Sequence, residues 1–159
     1  MFVPHLQVIP VSAVVQFPNA DPFFHNVFSL FEGKRFDLGL YEAGSTKSVT
    51  FSREGVSYIF CNIHPEMSAV VISLSTPLYA VADASNLFII RNIPPGDYSL
   101  HVWIEGVQPP LLEQETRRVH ITPGAVDLGQ IAAPVSRTGT TNHTNKFGKP
   151  YAHDHQSIY

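Results

Sequence analysis

Thirteen prolines and ten glycines are spread over 159 residues, and they interrupt the apolar runs wherever these begin to build. Proline inside a helix removes a hydrogen bond and clashes with the preceding turn, so a chain cut this often folds as short strands joined by turns. Leu6-Gln7-Val8-Ile9-Pro10-Val11 and Ala13-Val14-Val15-Gln16-Phe17 read as two strands, the second closed by Pro18-Asn19. His25-Asn26-Val27-Phe28-Ser29-Leu30 reads as the next. Lys47-Ser48-Val49-Thr50-Phe51 alternates, placing Val49 and Phe51 on one face ahead of a turn at Arg53-Glu54-Gly55. Val56 to Cys61 follows as a further strand. Short strands with turn signals at this spacing predict a β-sandwich with Greek-key connections.

Composition narrows what such a sandwich can do. Charged residues are 14% of the chain, against about 25% in an average domain. The formal net charge of −3 leaves no basic patch, which argues against nucleic-acid binding. No apolar stretch reaches the ~20 residues of a membrane-spanning helix. Asp37, Glu42 and Glu66 make no evident acid/base pair, no glycine-rich phosphate loop is present, and the chain reads as a binding protein with no catalytic residues.

The chemistry concentrates around the single cysteine. Cys61-Asn62-Ile63-His64-Pro65-Glu66-Met67 sets a thiolate, an imidazole at +3 and a thioether at +6. His25, 36 residues upstream, supplies a second imidazole at the entrance to an apolar strand. Thiolate and thioether favour reduced copper, imidazole suits both oxidation states, and a His₂Cys set with a weak axial Met is the donor arrangement of electron-transfer copper sites. Structural zinc sites use four Cys or His donors in closed pairs and fit this set poorly. A binuclear copper site would need two bridging cysteines. Taken alone, Cys61 or Met67 would read as a core residue, since both types are commonly buried.

The spacing C-x-x-H-x-x-M with Pro65 after the histidine resembles the cupredoxins, the small blue copper proteins, and amicyanin in particular. The resemblance runs from about Phe2 to Leu74. Phe17-Pro18-Asn19-Ala20-Asp21-Pro22, His25-Asn26-Val27-Phe28-Ser29 and Met67-Ser68-Ala69 further resemble bacterial plastocyanin-like proteins labelled methylamine utilisation proteins. The resemblance implies one copper ion, Cu(I)/Cu(II), with Cys61, His25 and His64 in the equatorial plane and Met67 as the long axial contact. It implies that the Asn26 side chain ties the two ligand-bearing loops together. It implies a periplasmic or otherwise extracytoplasmic location, although Met1-Phe2-Val3-Pro4 carries no signal-peptide pattern, and the family's usual first strand is expected to be missing. One position departs from the family pattern. Ile59 stands where an aromatic is usual, with Tyr58 and Phe60 on the opposite face, so the strand reads either as covered on both sides or as carrying a pair of exposed aromatics, since single exposed apolar residues are normal.

The second half reads as further strands over Thr76 to Asp83, Leu87 to Ile90, Tyr98 to Trp103 and Arg117 to Ile121. Asp83-x-x-x-x-Phe88 with Pro94-Pro95-Gly96-x-Tyr98-x-Leu100 resembles part of a carboxypeptidase regulatory-like β-sandwich module, with Asn86 at the family's glycine position. Asparagine tolerates the left-handed conformation that such a turn needs. The expected organisation is therefore all-β: a cupredoxin-like Greek-key β-sandwich over 1–75, a small β-sandwich-like extension over 76–133, and a disordered, flexible tail over 134–159. His143, His153 and His155 in that tail read as solvated residues before they read as a second metal site, because flexible ligands lose entropy on ordering. His5, His101 and His120 read as strand-face or surface residues.

Two functional classes follow. The first is a single-electron carrier that passes its electron through His64 to a redox partner, a cytochrome or oxidoreductase, docking transiently around His64, Pro65, Phe23 and Phe24. The second is a non-redox copper-binding or structural module for metal carriage, sensing or assembly.

Overall fold

A computed structural model of the chain describes residues 1–30, 33–132 and 144–151. They form two compact units, one of Met1–Pro77 together with residues 144–151 and one that begins at Leu78. The first unit holds seven strands: β1 (Leu6–Pro10), β2 (Val14–Pro18), β3 (His25–Ser29), β4 (Phe36–Tyr41), β5 (Thr46–Thr50), β6 (Gly55–Cys61) and β7 (Ser68–Leu74). Five make a sheet in the order β1-β7-β6-β3-β4, and β2 and β5 make a second. Pairing is antiparallel except for β1 on β7.

Alternation explains how the two sheets close on each other, because residues two apart along a strand share a face. Val15 and Phe17 of β2 and Val49 of β5 meet Ile9, Val27, Ile59, Ala69 and Val71 of the larger sheet in one buried core. Phe51 joins them from just beyond β5. The chain passes from one sheet to the other at Ser12, whose φ of 72° is left-handed. There the Ser12 N–H donates to Phe51 O at 2.7 Å, and the Phe51 N–H donates to Ala13 O at 2.9 Å.

Part of the opposite face of the larger sheet, around Phe28, Phe60 and Val70, is also excluded from solvent. Phe60 and Phe28 are buried, their tilted rings 6.0 Å apart, and Tyr58 is half-buried, so of the two readings of β6 the one with cover on both sides holds at Phe60. β4 and β7 are strands that the sequence reading did not name, and β4 has a visible reason. Gly39, at φ 65°, and a register shift opposite Asn26 and Phe28 break its alternation.

The second unit differs more from expectation. It contains β8 (Gly96–Leu100), α1 (Pro109–Gln114) and β9 (Arg117–Ile121), with β8 and β9 paired antiparallel. The strands expected over 76–83 and 87–90 are not formed. Their alternating apolar residues Tyr79, Val81, Leu87 and Ile89 are exposed, and without a pairing strand alternation does not become a sheet. The turn between them does form. Asp83 Oδ1 accepts from the Ser85 and Leu87 N–H groups at 2.8 and 3.0 Å, and Asn86 takes φ 62°. The short helix α1 opens on Pro109-Pro110; proline at a first helical turn lacks only an N–H that would be unpaired there anyway.

Residues 144–151 of the expected tail lie against the first unit. Asn145 Oδ1 accepts from the Phe147 and Lys149 N–H groups at 3.0 and 3.1 Å, forming a compact turn. His143, His153 and His155 lie outside the described residues.

Candidate metal centre

Cys61 ends β6, where its ladder with β3 brings it opposite Val27, and it is fully buried. The seven residues from Cys61 to Met67 close on themselves. The Cys61 N–H donates to Met67 O at 3.2 Å and the Met67 N–H to His64 O at 3.0 Å. The Asn62 N–H donates to Asn26 O at 2.9 Å, which ties this loop to β3. His25 opens β3 and is buried. Its Nδ1 lies 3.6 Å from Cys61 Sγ, and His64 Nδ1 lies 3.4 Å from the same sulfur. All three donor atoms fall within 4.8 Å of one another.

These separations suit a set of residues that could hold a metal ion. Metal–sulfur and metal–nitrogen bonds of about 2.3 and 2.0 Å, opening at roughly 110–120°, hold S and N about 3.5–3.7 Å apart. A buried thiol facing two imidazoles, each through Nδ1, matches that spacing without rearrangement. Burial, and then the neighbouring His25, hold the His64 imidazole below its usual range, which keeps its lone pair free for a metal. The Met67 side chain is buried and lines the same cavity as His25. His5, by contrast, is exposed and its Nδ1 meets Ser68 O. His101 meets Thr116 and His120 meets Asp97, both at exposed positions.

The predicted role of Asn26 needs correction. Its side chain donates to Asp37 Oδ1 at 2.7 Å, linking β3 to β4, while the tie between the ligand-bearing segments is its main-chain carbonyl. Asn26 points to the face opposite His25 because neighbouring residues in a strand alternate.

Four residues near the site escaped sequence reasoning. Asp21 Oδ2 lies 2.9 Å from His25 Nε2. Asn19, buried, donates from Nδ2 to Phe23 O at 2.7 Å and Tyr41 O at 3.4 Å, and its Oδ1 accepts from the Asp21 N–H. From the turn at 144–151, the Tyr151 hydroxyl donates to Cys61 O at 2.9 Å, the Lys146 N–H donates to Asn62 Oδ1 at 2.9 Å, and Lys146 Nζ meets Asp37 Oδ2 at 2.8 Å. This turn therefore braces the cysteine strand from outside the β-sandwich. Burial, then negative charge on Cys61, push the Tyr151 phenol up to about 12, so it remains a donor throughout the ordinary pH range.

The Lys146–Asp37 contact gives the brace a pH limit. Burial raises the Asp37 carboxyl, but Lys146, Asn26 and the Gly39 N–H together outweigh it and hold it below the ordinary carboxylate range. A depressed folded value means that the contact contributes fully above about pH 4 and is lost as pH falls through Asp37's own lower value. Amide exchange at Lys146 and Asn62, read by hydrogen exchange, is expected to stay protected from neutral pH to about pH 4 and to lose protection below it.

Comparison with known proteins finds no matching family model and no matching curated protein. Among solved structures the chain is similar to a purple cupredoxin from Nitrosopumilus maritimus, at 29% identity and TM-score 0.41 over 45% of this chain and 79% of that one. It is similar to a copper-containing nitrite reductase from Thermus scotoductus, at 24% and 0.43 over 45% and 20%. An oxidised amicyanin mutant matches at 24% and 0.40 over 45% and 70%. These likenesses are weak and cover less than half of this chain, and none supports a carboxypeptidase regulatory-like second half.

Proposed function

We propose that this chain would bind one copper ion through His25, Cys61 and His64, with Met67 as a weaker fourth donor, and act as a single-electron carrier between Cu(I) and Cu(II). The observation that carries this reading is the pair of imidazole Nδ1 atoms 3.4 and 3.6 Å from one fully buried sulfur. Sulfur with imidazole suits copper in both oxidation states, and a buried thioether beside them adds the weak fourth donor of an electron-transfer site. Bound copper supplies the one-electron couple. The chain supplies a rigid frame: main-chain bonds within Cys61–Met67, the tie to Asn26 O and the brace from Tyr151 keep the donors from rearranging when the charge changes.

His64 is the less buried of the two imidazoles and is the exit for the electron. The Phe23 ring lies 5.2 Å from it, and Phe23, Phe24 and Ile63 are exposed at 42, 49 and 44%. An apolar patch of this modest size suits brief encounters with a redox partner, a cytochrome or an oxidoreductase. An extracytoplasmic, periplasmic setting accords with a lone thiol that is occupied by metal and so protected from oxidation.

Titrating Cu(II) into the purified chain is expected to give an intense visible thiolate-to-copper band that saturates at one equivalent, narrow copper hyperfine splitting, and a reversible one-electron wave. A pale complex with no such wave would replace the carrier by a non-redox copper-binding module. Met67→Gln is expected to retain copper and shift the reduction potential, because a weak fourth donor would tune a site that the other three hold. Loss of copper on that substitution, measured by metal content after desalting, would mean that Met67 holds the ion rather than tuning it.

A further inference from the structure

We propose that Asp21 is a positioning residue for His25, fixing which ring nitrogen faces the metal and strengthening it as a donor, so that Asp21 helps to set the reduction potential. The inference rests on the copper reading above. An ionised carboxylate only accepts hydrogen bonds, so Asp21 Oδ2, 2.9 Å from His25 Nε2, requires the proton to sit on Nε2. Nδ1 is then left with its lone pair, and Nδ1 is the atom 3.6 Å from Cys61 Sγ. A carboxylate behind a ligating imidazole both orients the ring and makes it more basic.

The loop is built to hold Asp21 there. The Asp21 N–H donates to Asn19 Oδ1 at 3.1 Å. Asn19 is itself 3% exposed and anchored to Phe23 O and to Tyr41 O on β4. Three bonds from one buried amide thus fix the turn that carries the carboxylate four residues before His25. His64 has no comparable partner, since its other ring nitrogen makes no hydrogen bond to a described residue. The two imidazoles are therefore unequal donors: His25 is buried and backed by a carboxylate, and His64 is half-exposed and unbacked. A more basic donor favours the more highly charged ion, so Asp21 lowers the potential by stabilising Cu(II) over Cu(I). With its side chain 43% exposed, that influence is partly screened and weakens as salt rises.

The test uses Asp21→Asn and Asp21→Ala in the full chain. Asparagine keeps an acceptor oxygen without the charge, and alanine removes both. Nitrogen-15 NMR of the metal-free proteins is expected to show His25 as the Nε2–H tautomer in the native chain and in Asp21→Asn, and a mixture of tautomers in Asp21→Ala. In the copper-loaded proteins the potential is expected to rise in both variants, more in alanine, with copper affinity falling about 10–100-fold in alanine. Matching thermal midpoints of Asp21→Asn and the native chain separate these effects from loss of fold. An unchanged tautomer in Asp21→Ala, or a potential that moves in neither variant, would overturn the role of Asp21. Failure of the native chain to form a coloured copper site would overturn the copper reading instead, and the metal-free tautomers would still decide whether Asp21 orients His25.

Discussion

Cys61→Ser is expected to abolish the visible charge-transfer band and to weaken copper binding by well over 100-fold, beyond the ~10–100-fold that loss of an outer partner brings. Serine nearly preserves the volume, and the site at the end of β6 is fully buried, so the fold has little reason to change. The donor changes completely. A hydroxyl does not ionise near neutral pH and gives copper no covalent sulfur bond, whereas a thiolate is both the strongest ligand of the set and the source of the colour. Absorption titration beside copper content after desalting separates the outcomes. A band that survives Cys61→Ser would show that the two histidines and some other group make the copper site, and the electron-carrier reading would fall with it.

The second large effect is on stability. Phe51→Ala is expected to destabilise the first unit by about 3–5 kcal/mol, the usual range when a buried phenylalanine is truncated and its space only partly refills. Phe51 is 1% exposed and sits between the two sheets, its ring 6.3 Å from that of Phe36 in an edge-to-face contact. Its N–H and carbonyl also join the corner at Ser12 and Ala13; alanine keeps those main-chain bonds, so the loss measures packing alone. Set against a typical total of roughly 5–15 kcal/mol, this leaves the metal-free protein close to unfolding. Urea unfolding of the metal-free chain is the measurement, with Val14→Ala, at 59% exposure, expected within about 0.5 kcal/mol of native. A loss below about 1 kcal/mol for Phe51→Ala would mean that the core between the sheets does not carry the unit. Added copper is expected to recover part of the loss, since a ligand that binds only the folded state stabilises it by mass action.

Local pattern made much of this legible. Val49 and Phe51 fall on one face through simple alternation, and both are core. Cys61, His64 and Met67 lie within one seven-residue loop, so their proximity needs no long-range folding. What failed were inferences that need a partner strand or a distant neighbour. The alternation of Tyr79, Val81, Leu87 and Ile89 is real, yet these residues find no ladder and stay exposed. In β4, one glycine in the left-handed region and one bulge hid a true strand. Asn26 was assigned to the neighbouring loop, but the β3 pleat turns its side chain to Asp37.

By itself the sequence determined the kinds of side chain available as donors, the short-strand character that follows from frequent proline and glycine, and the loop that carries three of the four proposed donors. These depend on residue chemistry and on neighbours a few positions apart. Only the tertiary structure decided that His25, 36 residues from Cys61, turns Nδ1 toward its sulfur and Nε2 toward Asp21. It likewise decided that Tyr151, 90 residues away, donates to the Cys61 carbonyl. The physical reason is that a hydrogen bond depends on direction and on a distance near 3 Å, which sequence separation does not encode and the pairing of β3 with β6 does.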